Sequence, residues 1–153
     1  MGSVNDRLHA LAHDAGYFGT AVLASYDAAS GELRLARAGH PSPLLFRARG
    51  MVEPIGCANP ALELLHGVDD KETAGRLDPE DALLLYTDGA TELFDRKDHG
   101  LGQAGLLQLA QTQIRNGSLT GFHLDQLEEQ LLRFTNEVQM VDDLTLIKLS
   151  RIA

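Results

Sequence analysis

The chain has 153 residues, 44% of them hydrophobic, which is enough for one domain with a buried core. Its 22 acidic residues against 13 Lys and Arg give a net charge of -9, which argues against sequence-independent binding to nucleic acid and favours a divalent cation or a basic protein surface. Cys57 is the only cysteine, so an internal disulfide and a thiolate metal cluster are excluded, and no apolar stretch approaches the roughly 20 residues of a membrane span.

The opening residues, Met1-Gly2-Ser3-Val4-Asn5-Asp6, lack the regions of a secretory signal, and Asp6 stands where a myristoylation signal has Ser or Thr. A cytoplasmic protein is expected. Over residues 3–15, Val4, Leu8, Leu11, Ala12 and Ala15 recur at helical spacing between a Ser3 cap and a Gly16 stop, which predicts a short amphipathic helix. His9 and His13 stand four apart on it, as zinc-binding pairs do, but no Glu or third His supports them and an exposed face is expected.

Residues 18–26 and 32–38 read as two strands joined by Asp27-Ala-Ala-Ser-Gly31, a hairpin loop. Leu33 and Leu35 alternate with arginines, which predicts one wet face. Gly39-His40-Pro41-Ser42-Pro43 forbids helix, strands resume at 44–47 and 51–55 around an Arg49-Gly50 turn, and the first third is expected to be an antiparallel meander. His40 could transfer protons near neutral pH or fix its turn by a hydrogen bond, and the second role is expected. Residues 56–75 carry no readable period. Helices are predicted over 102–116, with Leu106, Leu107, Leu109, Ala110 and Ile114, and over 120–136, with Phe122, Leu124, Leu127, Leu131, Leu132 and Phe134, separated by Asn116-Gly117. A last strand runs over 144–149. Strands, then two amphipathic helices, then a returning strand describe an α+β or layered fold in one domain, 1–153.

The chemistry gathers on Asp81-Ala-Leu-Leu-Leu-Tyr-Thr-Asp88-Gly89-Ala-Thr-Glu92. Leu83 to Tyr86 form an unbroken apolar run that predicts a strand buried on both faces, and Asp88-Gly89 ends it with an acid on a turn. A second acidic pair, Asp142-Asp143, heads the final strand. If the two strands are neighbours, their carboxylates converge, which like-charge repulsion disfavours unless a cation lies between them. Oxygen ligands of this kind suit Mg2+ or Mn2+, although Asp-Gly and Asp-Asp are also ordinary loop chemistry.

Together, Ala38-Gly-His-Pro-Ser-Pro-Leu-Leu45, Leu77-Asp-Pro-Glu-Asp-Ala-Leu-Leu-Leu-Tyr-Thr-Asp-Gly-Ala-Thr-Glu92 and Asp142-Asp-Leu-Thr-Leu146 resemble, in order and spacing, the SpoIIE-type, RsbU-like branch of the metal-dependent protein serine/threonine phosphatases. The resemblance extends to the Thr20-Ala-Val-Leu strand and to Gly100-Leu-Gly, covering essentially the whole chain. It implies a β-sandwich covered by helices and an enzyme that dephosphorylates Ser or Thr of a partner protein. That partner is commonly an anti-sigma-factor antagonist in bacterial stress or sporulation signalling. It also implies that Asp88 and Asp142 ligate the same Mn2+ or Mg2+, with Asp143 orienting the site by hydrogen bonding and Gly89, Thr20 and His40 in supporting positions. Two cations roughly 3.5 to 4 Å apart can then hold the phosphoryl oxygens and activate water, so no covalent nucleophile is required.

The sequence also departs from the family. The Gly-Asp…Gly-x-Gly segment, whose Asp bridges both metals, has no counterpart, Glu80 stands where a Gly is usual, and Pro60-Ala-Leu-Glu replaces Gly-x-Pro-Leu-Gly. The chain is therefore expected to be an N-terminally truncated, C-terminal three-quarters of such a domain, or else a short non-catalytic module that binds a regulatory protein. Either way, weak metal binding and little hydrolysis are expected, and the loss of early strands, which leaves a sheet edge or face uncovered, predicts a homodimer or an aggregation-prone species. A haloacid-dehalogenase-type phosphatase also uses an Asp at a strand end, but its Asp-x-Asp-Gly order fails here at Tyr86.

Overall fold

A computed structural model of the chain describes residues 5–8, 18–48, 50–64, 71–114, 122–135 and 143–152. Residues 5–8 are helical; His9, His13 and the rest of the expected first helix lie outside the described residues. The chain divides into two compact units, Met1–Ser42 with Ile55–Arg76, and Pro43–Pro54 with Leu77–Ala153.

The first unit holds a three-stranded antiparallel sheet in the order β1-β2-β5, formed by β1 Ala21–Tyr26, β2 Glu32–Ala38 and β5 Thr73–Arg76. The β1–β2 hairpin closes because the Asp27 carboxylate accepts from the Ala29 amide at 2.8 Å while the Gly31 amide donates to the Asp27 carbonyl at 2.7 Å. Along β2, Leu33 and Leu35 are buried while Glu32 and Arg34 are exposed, the one-sided alternation that the sequence predicts. Strand β1 lies at the sheet edge with Leu23 62% exposed. Strand β5 falls in the stretch that carries no readable period. Its Thr-Ala-Gly-Arg sequence has no apolar alternation, so only its pairing with β2 makes it a strand.

The second unit holds a four-stranded antiparallel sheet in the order β4-β3-β6-β7, formed by β3 Leu44–Phe46, β4 Val52–Pro54, β6 Ala82–Tyr86 and β7 Leu146–Ser150. Two helices, α1 Gly102–Thr112 and α2 Leu124–Thr135, complete it. Leu44, Phe46, Ala82, Leu84 and Tyr86 form a core with Leu106 and Ala110 of α1, Leu127 and Leu131 of α2, and Phe122, whose ring stacks on Phe46 at 4.5 Å. Strand β6 lies between β3 and β7, and Leu83 is buried as fully as Ala82, Leu84 and Tyr86, so residues of both faces are apolar and the run shows no polar alternation.

Antiparallel sheets with helices bear out the α+β expectation, but the meander is corrected. Strand β2 pairs with β1 and β5, whereas β3 and β4 belong to the other sheet. The passage between β2 and β3 explains the break. Gly39 has φ +61° with Ala61 packed against it, so an added Cβ would lie 2.7 Å from the Ala61 Cβ, and Pro41 and Pro43 offer no amide to continue a ladder. Buried Asn59 secures the same region: its amide nitrogen donates to the Arg37 and Lys71 carbonyls at 3.0 and 2.9 Å and its oxygen accepts from the Lys71 amide at 2.8 Å. Among the described residues, no helix is long and apolar enough to cross a membrane.

Candidate metal centre

Strands β6 and β7 are antiparallel neighbours with Tyr86 opposite Leu146, so the end of one meets the start of the other. The ladder continues past the strands, since the Thr87 amide donates to the Thr145 carbonyl at 3.1 Å. The Thr87 hydroxyl adds two bonds, donating to the Asp143 carbonyl at 3.0 Å and accepting from the Thr145 amide at 2.9 Å. Asp88–Ala90 then form a single 3-10 turn. The Asp88 carbonyl accepts from the Thr91 and Glu92 amides at 2.7 and 2.8 Å, and the Thr91 hydroxyl donates to it at 3.1 Å. The backbone of Asp88 is thereby fixed while its side chain stays exposed, between half-buried Thr87 and buried Gly89.

Gly89 is required by close approach. An added Cβ would lie 2.6 Å from the Asp143 carbonyl oxygen, closer than real contacts come, so a side chain here would push the 143–144 backbone away from the turn. The structure thus brings Asp88, Gly89 and Asp143 together. Asp142 lies outside the described residues, one position before Asp143. Thr20 and His40 belong to the other unit, where the Thr20 hydroxyl and the His40 Nδ1 share a hydrogen bond of 3.3 Å and Arg37 donates to the His40 carbonyl at 2.6 Å.

Supports reach both ends of β6. At its exit, Gln103 of α1 donates to the Tyr86 hydroxyl at 3.0 Å, and the Gly102 amide donates to the Thr91 carbonyl at 3.0 Å. At its entry, the Asp81 carboxylate, 3% exposed, accepts from the Ala48 and Asp78 amides and from Arg47, each at 2.9 Å. From the sequence alone neither Asp81 nor Thr87 has an assigned role. An acid directly before an apolar strand was the available signal for Asp81; nothing local marked Thr87, whose partners are 56 and 58 residues away. Beyond the turn, the Asp95 carboxylate is held below the usual carboxylate range by backbone donors, first His99 and then Lys97, with the His99 ring adding to it.

As donors the acids at this end of the sheet offer oxygen alone, with the exposed Asp88 carboxylate at the turn and the Asp143 backbone approaching that turn at Gly89. Among the described residues no cation pairs with Asp88, and no group of three or more His, Cys, Asp or Glu stands close enough to hold a metal. Such a set fits a hard cation that keeps water in its coordination sphere, and does not fit zinc or iron–sulfur chemistry.

Known proteins share this fold. The phosphatase domain of SpoIIE from Bacillus subtilis, presoaked with Mn, shares the fold at a TM-score of 0.64 and 18% identity over 87% of this chain and 56% of that one. The RsbU and RsbW domains of a Mycobacterium tuberculosis protein match at 0.72 and 29% identity over 97% of this chain and 40% of that one. Protein IcfG of Synechocystis is 24% identical over 147 residues, 96% of this chain and 23% of IcfG. The chain thus spans 23% to 56% of the length of these relatives. The fold is that of SpoIIE-type phosphatase domains. The family described as Stage II sporulation protein E matches residues 1–152, and this chain belongs to it.

Proposed function

We propose that residues 1–153 act as one phosphatase domain, cleaving phosphate from Ser or Thr of a regulatory protein of the anti-sigma-factor-antagonist type, with Asp88 and Asp142 ligating Mn2+ or Mg2+. The observation that carries this reading is the approach of the Asp143 backbone to Gly89, which brings the acidic end of β6 and the acidic start of β7 to one place. Family membership supports the reaction class, and the RsbU and RsbW domains that occur in one chain of the Mycobacterium tuberculosis relative support a protein substrate.

When bound, the cation would draw the phosphoryl oxygens into place and lower the pKa of an attacking water. The chain's own residues do the positioning. The 3-10 turn holds the Asp88 backbone at the strand end, and Gly89 leaves room for the Asp143 backbone on the facing segment. Two carboxylates leave most of an octahedral shell to water and substrate, so metal affinity and turnover of these 153 residues are expected to be low.

Isothermal titration with Mn2+ against the unsubstituted chain, Asp88→Asn and Asp142→Asn tests the reading. Weak binding that both substitutions abolish, with melting temperatures unchanged, is expected; equal heats in all three overturn it. Brisk Mn2+-dependent hydrolysis of p-nitrophenyl phosphate would contradict the expectation of low turnover.

A further inference from the structure

The Thr87 side chain has a job distinct from that of the acids around it. A strand pair that follows its ladder regularly needs only backbone groups, yet here a side-chain hydroxyl takes two places in the pairing. It donates to the Asp143 carbonyl at 3.0 Å and accepts from the Thr145 amide at 2.9 Å, while the Thr87 backbone amide holds the Thr145 carbonyl at 3.1 Å. One residue therefore binds three polar groups of the facing segment, on either side of Leu144. The hydroxyl is used as both donor and acceptor, which a methyl group of the same shape cannot imitate.

Its place in the chain gives the arrangement its meaning. Thr87 directly precedes Asp88, and its two side-chain bonds reach Asp143 and Thr145 on either side of Leu144. The Asp143 carbonyl that Thr87 grips is the same oxygen that an added Cβ at Gly89 would meet at 2.6 Å. The contact between the two acidic segments is thus pulled together by Thr87 and permitted by Gly89.

We propose that Thr87 is the positioning residue of this site, fixing the 143–145 backbone against the Asp88 turn before any cation arrives. The inference rests on the metal-dependent reading given above. Removing the hydroxyl leaves the Asp88 carboxylate in place and frees the opposite segment, so cation affinity falls although no ligand has been deleted. Groups that orient ligands in this way typically change metal affinity about 10- to 100-fold.

The test compares the unsubstituted chain with Thr87→Val, which keeps the shape and loses the hydroxyl, and with Thr87→Ser, which keeps the hydroxyl. Mn2+ affinity by titration, thermal melting and amide exchange of Thr145 are measured on each. Thr87→Val is expected to weaken Mn2+ about tenfold and to expose the Thr145 amide to exchange, with Thr87→Ser restoring both. Unchanged Mn2+ affinity in folded Thr87→Val overturns the inference and leaves the metal reading standing, whereas no Mn2+ binding by the unsubstituted chain overturns both. Should Thr87→Val fail to fold, the unsubstituted metal-free chain decides: a slowly exchanging Thr145 amide supports a preformed clamp, and a freely exchanging one removes it.

Discussion

Gly89 and Asp95 show how single residues set the local geometry after β6. At Gly89 the obstacle is backbone, the Asp143 carbonyl at 2.6 Å from an added Cβ, so no side-chain rotation relieves it. Gly89→Ala is expected to lose about 1 to 3 kcal/mol of stability in urea unfolding and to weaken Mn2+ binding with it; an unchanged midpoint would refute the close approach. Asp95 organises the loop that follows, since its carboxylate accepts from the Lys97 and His99 amides at 2.7 and 2.9 Å. Its folded pKa is depressed below the ordinary 3.8, so its stabilising effect is present above that value and disappears as pH falls through the lower folded one. Acid titration followed by amide exchange of Lys97 and His99 should show the loop opening only at the acid end, and Asp95→Asn should flatten that dependence.

At the scale of elements, β6 is held at both ends by different chemistry: an ion-paired, amide-bonded Asp81 at its entry and the Thr87 and Gly89 contacts at its exit. The turn before it carries strain. Glu80 has φ +70°, a left-handed conformation that a residue with a Cβ adopts at a cost, and its amide is held by the Arg151 carbonyl at 2.7 Å. Glu80→Gly is therefore expected to raise stability by about 1 kcal/mol, read as a higher melting temperature; a lower one would mean that the Glu80 side chain makes up for the angle. Helix α2 shows the opposite case, in which local pattern and packing agree. Leu127 and Leu131 lie one turn apart and are fully buried, while Glu129 and Arg133 on the outer face pair at 3.0 Å.

At the scale of the whole molecule, the net charge of -9 and the edge strand of the first unit set the expected behaviour in solution. Strand β1 reads Ala-Val-Leu-Ala-Ser-Tyr, with no charge or proline to discourage pairing, and carries Leu23 at 62% exposure on the outer position of its sheet. Edges of this composition tend to recruit another chain, so light scattering at micromolar concentration is expected to give a dimer mass. A monomer at that concentration, or a dimer that persists after Leu23→Lys, would remove β1 as the contact.

What could be read from the sequence was whatever depends on neighbours along the chain. The hairpin around Asp27-Gly31, the alternation of Leu33 and Leu35, the unbroken apolar run of β6 and the heptad-like leucines of α2 each carry their own periodicity or turn chemistry. The separation of β3 from β2, the strand character of Thr73–Arg76 and the role of Thr87 were decided by partners far away in sequence. Hydrogen bonds between distant segments leave no local signature, because a threonine in a strand reads the same whether its hydroxyl meets water or a carbonyl 56 residues on. The acids were visible as letters; that the end of β6 faces the start of β7 was set by the register of the two strands.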